Sequence, residues 1–499
     1  MYRKNILSIV LVLFMVSVCM PSQMNNNDLR DRISKMEKEL ESLKTAASSE
    51  DMKITSSSKV EEKEPVKSGS PWNLSLKSSE TKSTPAVTSV KPVSAQTKPD
   101  TSKLQLGKES SVAAEKSPAA AEKKPVAAAP APKGLPLWSN LDIQFYGYVK
   151  FDASYDTSLT TAGNYAVYVD SEATNPDDDG FNMTANQTRL GFKINGPEKD
   201  GIKSSGLLEF DFYGNYASEN KAKIQMRHAY LKLNWANGSE ILAGQTSDVM
   251  SPLCPSTLNY TVLWDVGNIG YRRPQIRYTK TWTGEDKNFV KFEAALARSI
   301  GTDKGTSAAP YAETGMDAGY PTAQSRLSMS FPLLGYKPTT LGFSGHIGRE
   351  EYDTQNDGSN KKFESWSANI DLTQPINKWL TIQGEYFRGE TLGTYFGGIG
   401  QSVNTASLNE IGAQGGWIAA SVGPWDKWNF NIGAGVDDVE RDDVASGSKI
   451  QNATVFGNFV YAINSNTQIG FELSQWETAY KNLDDSDSTR AQLSLTYKF

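Results

Sequence analysis

Across most of the chain, apolar and polar residues alternate one by one along a series of short segments. In residues 143–155 the apolar residues fall on one face, and polar residues such as Lys150 and Asp152 fall on the other. The same period of two recurs in residues 428–436 and in the closing segment 491–499. A period of two is typical of a β-strand whose two faces meet different surroundings. Strands of this length cross a lipid bilayer when tilted, so the pattern predicts an all-β transmembrane barrel over residues 140–499.

Short and long connections between these segments also alternate. Seven short turns and eight long polar loops join 16 strands, an even number, as in a bacterial outer-membrane barrel with antiparallel strands. Short turns are expected near 196–201, 236–239, 283–287, 335–338, 374–378, 423–427 and 464–467. Long loops are expected near 157–182, 214–221, 246–272, 301–322, 351–361, 392–408, 439–450 and 479–488.

A soluble protein built of β-sandwiches is the alternative, but the apolar face continues through the whole region and the chain ends on an aromatic strand. In the fourth strand the apolar residues change parity around His228 and Tyr230, which predicts either a bulge or a subunit contact.

Composition excludes several other classes of protein. No internal apolar run reaches the roughly 18 residues of a spanning helix. Two cysteines, Cys19 and Cys254, do not make a disulfide framework, and two histidines argue against a histidine-based metal centre. An outer-membrane enzyme such as a lipase needs a Ser/His pair with an orienting group, and the sequence offers no such arrangement. We therefore expect no catalytic residue and no cofactor.

The N-terminal part of the chain has a different organisation. Arg3 and Lys4 precede an apolar run over 6–18, which predicts a signal peptide over residues 1–22. Lipidation of Cys19 is the alternative, but Val18 precedes it where a small residue is usual. Residues 25–45 carry apolar positions spaced by four and three, which predicts a short coiled-coil helix. These positions are Leu29, Ile33, Met36, Leu40 and Leu43.

Residues 46–135 are rich in Ser, Ala, Lys and Pro, which predicts a disordered linker. Residues 1–135 contain 21 Lys and Arg against 15 Asp and Glu, whereas the remainder contains 30 against 42. A basic tail raises the possibility of nucleic-acid binding. Its lysines are scattered among small residues, however, so a solvated linker is the better interpretation and no nucleic-acid partner is expected.

Two groups of residues resemble known outer-membrane proteins. The final Tyr497, Lys498 and Phe499 resemble the C-terminal signal that the barrel assembly machinery recognises, with Tyr497 and Phe499 as the aromatic positions. The first six strands, in order and spacing, resemble the DcaP-like trimeric porins. The segments that carry this resemblance are FYGYVKFDASYD (145–156), NQTRLGFKINGP (186–197), LLEFDFYGN (207–215), MRHAYLKL (226–233), ILAGQTSDVM (241–250) and RRPQIRYT (272–279).

The resemblance implies a homotrimeric porin in the outer membrane whose third loop folds inward and whose pore favours small anions, notably dicarboxylates. Independently of the resemblance, counting strands makes residues 246–271 the third long loop. We expect lipid and lipopolysaccharide around the barrel and the N-terminal segment in the periplasm.

Six basic residues fall on the predicted non-lipid face and are the candidates for an anion-selective lining. They are Arg189, Lys193, Arg227, Arg273, Arg277 and Arg326. Arginine's planar guanidinium suits carboxylates, and rings of positive charge set anion preference in pores. The alternative role is structural, because inward-facing acids such as Glu209, Asp211 and Glu293 are available as partners. Arg272 is expected to face away from the lumen.

The sequence therefore predicts a porin for passive diffusion of small hydrophilic solutes, with a preference for anions. The alternative is an envelope tether, in which the barrel anchors a periplasmic coiled coil and linker.

Overall fold

A computed structural model describes residues 141–174, 178–214, 222–284, 288–300, 315–316, 318–334, 336–353 and 360–499. The regions predicted as signal peptide, coiled coil and linker, residues 1–135, lie outside these ranges. Within them, none of the helices combines the length and the apolar character needed to cross a membrane.

The described residues form a closed barrel of 16 antiparallel strands, as the alternation predicts. The second strand consists of two segments that both pair with the first. The strands are β1 (Asp142–Asp156), β2 (Gly180–Thr184 and Arg189–Lys199), β3 (Ile202–Asp211), β4 (Gln225–Trp235), β5 (Ser239–Ser247), β6 (Arg272–Thr283), β7 (Phe289–Ala297), β8 (Thr322–Phe331), β9 (Thr339–Asp353), β10 (Asn360–Pro375), β11 (Leu380–Glu390), β12 (Gly412–Trp425), β13 (Trp428–Val439), β14 (Lys449–Ala462), β15 (Thr467–Tyr480) and β16 (Ser486–Lys498).

The first and last strands close the barrel. β1 and β16 pair antiparallel from Tyr148 opposite Lys498 to Asp156 opposite Arg490. The last residue extends the pairing, since the backbone N–H of Phe499 donates to the Gly147 carbonyl at 3.1 Å. Closure leaves no free sheet edge, which a barrel in lipid requires.

The two faces of each strand differ as the sequence pattern indicates. On β6, Ile276 and Tyr278 face outward and are 65% and 43% exposed. Gln275 and Thr279, which flank this pair on either side, face inward and are 5% and 8% exposed. The outward residues present the apolar surface that lipid covers, and the inward residues present hydrogen-bonding groups to the lumen.

The parity change in β4 is a β-bulge. His228 pairs with Glu209, whereas the next pair joins Phe210 to Met226, so Arg227 is the extra residue. The bulge brings Arg227 and His228 to the same side of the sheet, where both approach the Glu209 carboxylate, at 2.9 and 3.9 Å. Of the two interpretations offered by the sequence, the bulge is confirmed.

Three long loops pack against one another and against the inner wall. They are loop 1 (residues 157–174), loop 3 (residues 248–271) and loop 6 (residues 391–411). Met250 and Ile269 of loop 3 share a buried cluster with Leu392 and Ile399 of loop 6. A second buried cluster joins loop 1 to loop 3 and to aromatic residues of the wall; it contains Ala166, Val169, Leu263, Val266, Trp417, Ala419, Phe456 and Trp476. Buried apolar contact of this kind stabilises the three loops as one unit.

Loop 3 runs across the interior of the barrel, because its backbone reaches strands far from β5 and β6. The N–H groups of Val249, Leu253 and Leu258 donate to wall side chains on β8, β11 and β15 at 2.9, 2.8 and 2.7 Å. The acceptors are Gln324, Glu385 and Glu472. Backbone donors that would otherwise be buried without partners are satisfied in this way.

Glycine is required where loop 3 meets the wall. Gly267 has φ of +108°, and a Cβ there would lie 2.2 Å from the Gly416 carbonyl oxygen of β12. A Cβ on Gly435 of β13 would lie 2.2 Å from the Val266 carbonyl oxygen. These approaches place the loop backbone directly against the backbone of the wall, which only glycine permits.

Candidate functional site

Two regions of the inner surface of the barrel differ in how far the loops cover them. On β11–β16, which we call the covered wall, inward side chains beneath the three loops are buried, as for Trp417 at 4%, Phe456 at 2% and Trp476 at 1%. On β2–β7, which we call the open wall, several charged side chains keep contact with solvent. Of these two regions, the open wall is the one with charged side chains exposed to solvent.

The two basic residues of β2 lie on the open wall beside tyrosine rings. The Arg189 side chain is 23% exposed, with its Nε 3.6 Å from Glu209 Oε1. Its guanidinium lies 5.3 Å from the Tyr148 ring centre. Lys193 is exposed, and its Nζ lies 4.8 Å from the Tyr146 ring centre. Both cations are thus available to a solute in the lumen.

Arg227 and Arg326 are held by acids. Arg227 donates through Nε to Glu209 at 2.9 Å and through Nη1 to Asp211 at 2.7 Å. Arg326 donates through Nε and Nη2 to the two oxygens of Asp371 at 2.9 and 2.7 Å. Their side chains are 11% and 6% exposed. Two-point pairing of this kind fixes the guanidinium plane, so these residues act first as braces between strands.

Arg273 does not face the aqueous lumen, contrary to the prediction that it lines the pore. It is 0% exposed, and its Nε lies 3.0 Å from Asp248 Oδ1 in loop 3. Its Nη2 donates to the Thr394 carbonyl of loop 6, and its guanidinium lies 3.9 Å from the Tyr395 ring centre. Alternation places the residue on the inner face correctly. Loops 3 and 6, which come from distant parts of the sequence, cover this residue. Arg273 therefore binds the loops to the wall and is not exposed to the lumen.

Arg277 lies four residues further along β6 and remains partly open, with 15% of its side chain exposed. It donates to Gln275 Oε1 from Nε at 3.0 Å and to the Ser247 carbonyl, and its Nη1 lies 3.8 Å from Glu293 Oε1. Arg272, expected away from the lumen, packs over the Trp264 and Tyr271 rings at 5.4 and 5.1 Å.

The structure adds two lysines that were not among the candidates. Lys232 on β4 is 29% exposed and pairs with Glu240 at 3.0 Å, and Lys291 on β7 is 31% exposed and pairs with Glu293 at 3.0 Å. Lys291 could have been found from the alternation of β7. Lys232 could be assigned to the lumen only after the bulge in β4 had been located. Beyond the bulge, the even-numbered residues of β4 face inward, whereas before it the odd-numbered residues do.

Exposed charge on the open wall is mainly positive. Among the basic side chains described above, five are at least 15% exposed: Arg189, Lys193, Lys232, Arg277 and Lys291. The acids that pair with them are less exposed, with Glu209 at 9% and Glu293 at 10%, and Glu240 at 24% is the most open. The acids thus fix the positions of the basic side chains but are themselves less exposed to the lumen. In the described ranges no group of three or more His, Cys, Asp or Glu residues is arranged to hold a metal ion.

A closed 16-stranded barrel with polar lumen walls and loops folded over them is the fold of an outer-membrane porin-like channel. The model of the DcaP outer membrane protein family matches residues 133–310, which confirms the resemblance predicted for the first six strands. The outer membrane channel DcaP of Acinetobacter baumannii has the same fold, with a TM-score of 0.60 at 18% identity over 72% of this chain and 98% of that chain.

Two other solved structures are similar at lower scores. The anion-selective porin from Comamonas acidovorans is 11% identical over 72% of this chain and 100% of that chain, with a TM-score of 0.47. OmpT of Vibrio cholerae in a trimer form is 12% identical over 72% of this chain and 100% of that chain, with a TM-score of 0.44. No curated protein matches the chain.

Proposed function

We propose that the protein is a porin for passive diffusion of small hydrophilic solutes with a preference for anions, dicarboxylates among them, and that loop 3 narrows its pore. The observation that carries the proposal is the surplus of exposed cations on the open wall. The resemblance to DcaP-like porins supports dicarboxylates as the solute class. A homotrimer surrounded by lipid and lipopolysaccharide, inserted through recognition of Tyr497 and Phe499, belongs to the same proposal.

The electrostatic argument depends on where the acids lie. Charges exposed to the lumen act on a passing ion through water and over short distances, within a Debye length of about 8 Å at physiological salt. Charges that are paired and buried act mainly on each other. Because Arg227, Arg273 and Arg326 are neutralised by adjacent acids, the potential that a solute meets is set by the more open basic residues. These are Lys193, Lys291, Lys232, Arg189 and Arg277, of which the two arginines carry a guanidinium.

Dicarboxylates fit this arrangement for a geometric reason. Arg189 and Arg277 stand on different strands of one wall. Arg189 approaches Glu209 only to 3.6 Å, whereas Arg277 donates through Nε and Nη2 to Gln275 and Ser247 and has Nη1 3.8 Å from Glu293. A solute with a carboxylate at each end can interact with more than one cation during passage. A guanidinium offers a carboxylate two parallel donors, which a lysine ammonium does not.

The test is ion selectivity of the refolded full chain in planar bilayers. The zero-current potential in a potassium chloride gradient should have the sign of an anion-selective pore, and added succinate should reduce chloride current. The double variant Arg189→Ala/Arg277→Ala should shift that potential toward cation selectivity by tens of millivolts.

The matched control is Arg388→Ala, which removes the same side chain from the outward face of β11, where Arg388 is 61% exposed. It should leave the potential unchanged. A double variant indistinguishable from the parent chain, or one matched by the control, would contradict anion selection by the open wall.

A further inference from the structure

A cavity of about 290 Å³ lies between loops 1, 3 and 6, next to the start of β4. Five aromatic side chains contribute to its lining: Tyr165, Tyr260, Trp264, Tyr271 and Phe396. It is separate from the exposed cations of the open wall, none of which lines it. The loops bring together rings that are up to 231 positions apart in the sequence, from Tyr165 to Phe396.

The rings are arranged as walls rather than as a filled core. Trp264 and Phe396 stack with centres 4.5 Å apart and planes at 17°, and Tyr271 meets Phe396 edge-to-face at 4.7 Å and 89°. Tyr260 meets Trp264 at 6.1 Å and 90°. Trp264, Tyr271 and Phe396 remain half-buried, so part of each ring is uncovered. A bound aromatic ring could therefore make both of the contacts that aromatic rings prefer, offset-stacked and edge-to-face.

Most polar groups around the cavity are already hydrogen-bonded. The Tyr260 hydroxyl donates to Gln225 Oε1 at 3.0 Å, and Gln225 Nε2 donates to the Tyr271 oxygen at 2.9 Å. Asp265 is the exception: it is 7% exposed, lines the cavity, and its Oδ1 is buried without a hydrogen-bond partner. The cavity therefore combines aromatic walls with a buried carboxyl group, one oxygen of which has no hydrogen-bond partner.

We infer that this cavity is a binding subsite for a single-ring aromatic solute that carries a hydroxyl group, phenol being the simplest. An apolar cavity of about 150 Å³ accommodates benzene, so a substituted ring fits the present volume. The ring packs against Trp264, Tyr271 and Phe396, and the hydroxyl donates to Asp265 Oδ1. A sugar fits less well, because each of its several hydroxyls left buried without a partner costs about 1–3 kcal/mol, and most side-chain polar groups around the cavity are already hydrogen-bonded.

The inference does not depend on anion preference, so it is tested without measuring current. The refolded full chain in detergent is titrated into 4-fluorophenol, and the fluorine NMR shift is followed. We expect saturable binding to the parent chain and at least tenfold weaker binding to Trp264→Ala. Trp282→Ala is the matched control, because Trp282 lies on β6 away from the cavity and is 52% exposed; its affinity should equal that of the parent.

Two further variants keep the test valid if Trp264→Ala loosens the loops. Val167→Phe fills the cavity from loop 1 without removing an aromatic wall, and it should abolish saturation. Asp265→Asn keeps the volume and should weaken 4-fluorophenol severalfold but leave 4-fluorotoluene unchanged. Folding of each variant is verified by the heat-dependent shift in gel mobility that intact barrels show.

Several results would overturn the inference. These are a shift that does not saturate with the parent chain, equal affinity of the parent and Val167→Phe, or displacement of 4-fluorophenol by glucose at similar concentration. Equal binding of 4-fluorotoluene and 4-fluorophenol to the parent would remove Asp265 as the hydroxyl acceptor.

Discussion

The covered wall and the open wall are built from strands with the same period of two, yet their inward side chains differ in exposure to solvent. On the covered wall the inward positions carry Trp417, Phe456 and Trp476, which pack against loops 1 and 3. On the open wall they carry Arg189 and Arg277, which keep exposed surface. Inward orientation therefore decides only that a side chain avoids lipid. Whether it meets water or another part of the protein is decided by the loops.

Arg273 shows the boundary between the two walls. It stands on β6 of the open wall, four residues before Arg277, but loops 3 and 6 enclose it. Its guanidinium is neutralised by Asp248, while Arg277 approaches Glu293 only to 3.8 Å and stays partly open. Two arginines on one face of one strand thus differ in role, the first fixing a loop and the second presenting charge.

The largest expected effect on stability comes from removing the ion pair between Arg273 and Asp248. Arg273→Leu leaves the Asp248 carboxylate buried without its counter-charge, a change that typically costs 3–5 kcal/mol. Loop 3 should loosen, with a lower temperature for loss of the compact gel band and noisier single-channel current.

A double variant separates lost charge balance from lost packing. Asp248→Asn/Arg273→Leu removes both charges and should recover part of the stability lost in the single variant. Arg388→Leu, at an exposed pair with Glu440, should change stability by less than about 1 kcal/mol. A single variant as stable as this control would show that the Arg273 contact does not anchor the loop.

A smaller effect is expected from pH at the opposite side of loop 3. Burial raises the pKa of the Asp265 carboxyl from 3.8 to about 7, and Lys449 partly opposes the rise. Asp437 of β13 adds a second carboxyl close enough to interact with it. The neutral form is favoured in the folded loop, so the stabilising contribution is complete below pH 4 and is lost as pH rises through 7. The difference corresponds to at most about 4 kcal/mol.

Hydrogen exchange measures this contribution locally. After correction for intrinsic rates, amides of loop 3 should exchange faster at pH 8 than at pH 6, while amides of β15 and β16 should not change. Asp265→Asn cannot ionise and should abolish the difference. Persistence of the same pH dependence in Asp265→Asn would assign it to another group.

The strand pattern could be predicted from sequence because, within each strand, apolar residues mark the outward face and polar residues mark the inward face. Alternation gave the 16 strands, the turn positions and the inward face of Arg277, and it narrowed the anomaly at His228 to two explanations. The burial of Arg273 could not be predicted in this way. The burial depends on contacts with Thr394 and Tyr395, which lie more than 120 residues away in the sequence. It also depends on the path of loop 3, whose sequence has no apolar/polar periodicity from which that path could be predicted.

The smallest expected effect tests whether loop 3 itself borders the pore opposite the open wall. Cys254 lies in loop 3 and is an exposed free thiol. Attaching a sulfonatoethyl group adds negative charge there, and attaching a trimethylammonioethyl group adds positive charge, at similar size. If ions pass between Cys254 and the open wall, the first should lower anion preference and the second should raise it, each by a few millivolts in zero-current potential. Cys254→Ser retains Cys19 and should respond to neither reagent. Equal shifts from both reagents would indicate steric block without charge. No shift, once attachment to Cys254 is verified by mass spectrometry, would place the conducting path away from loop 3.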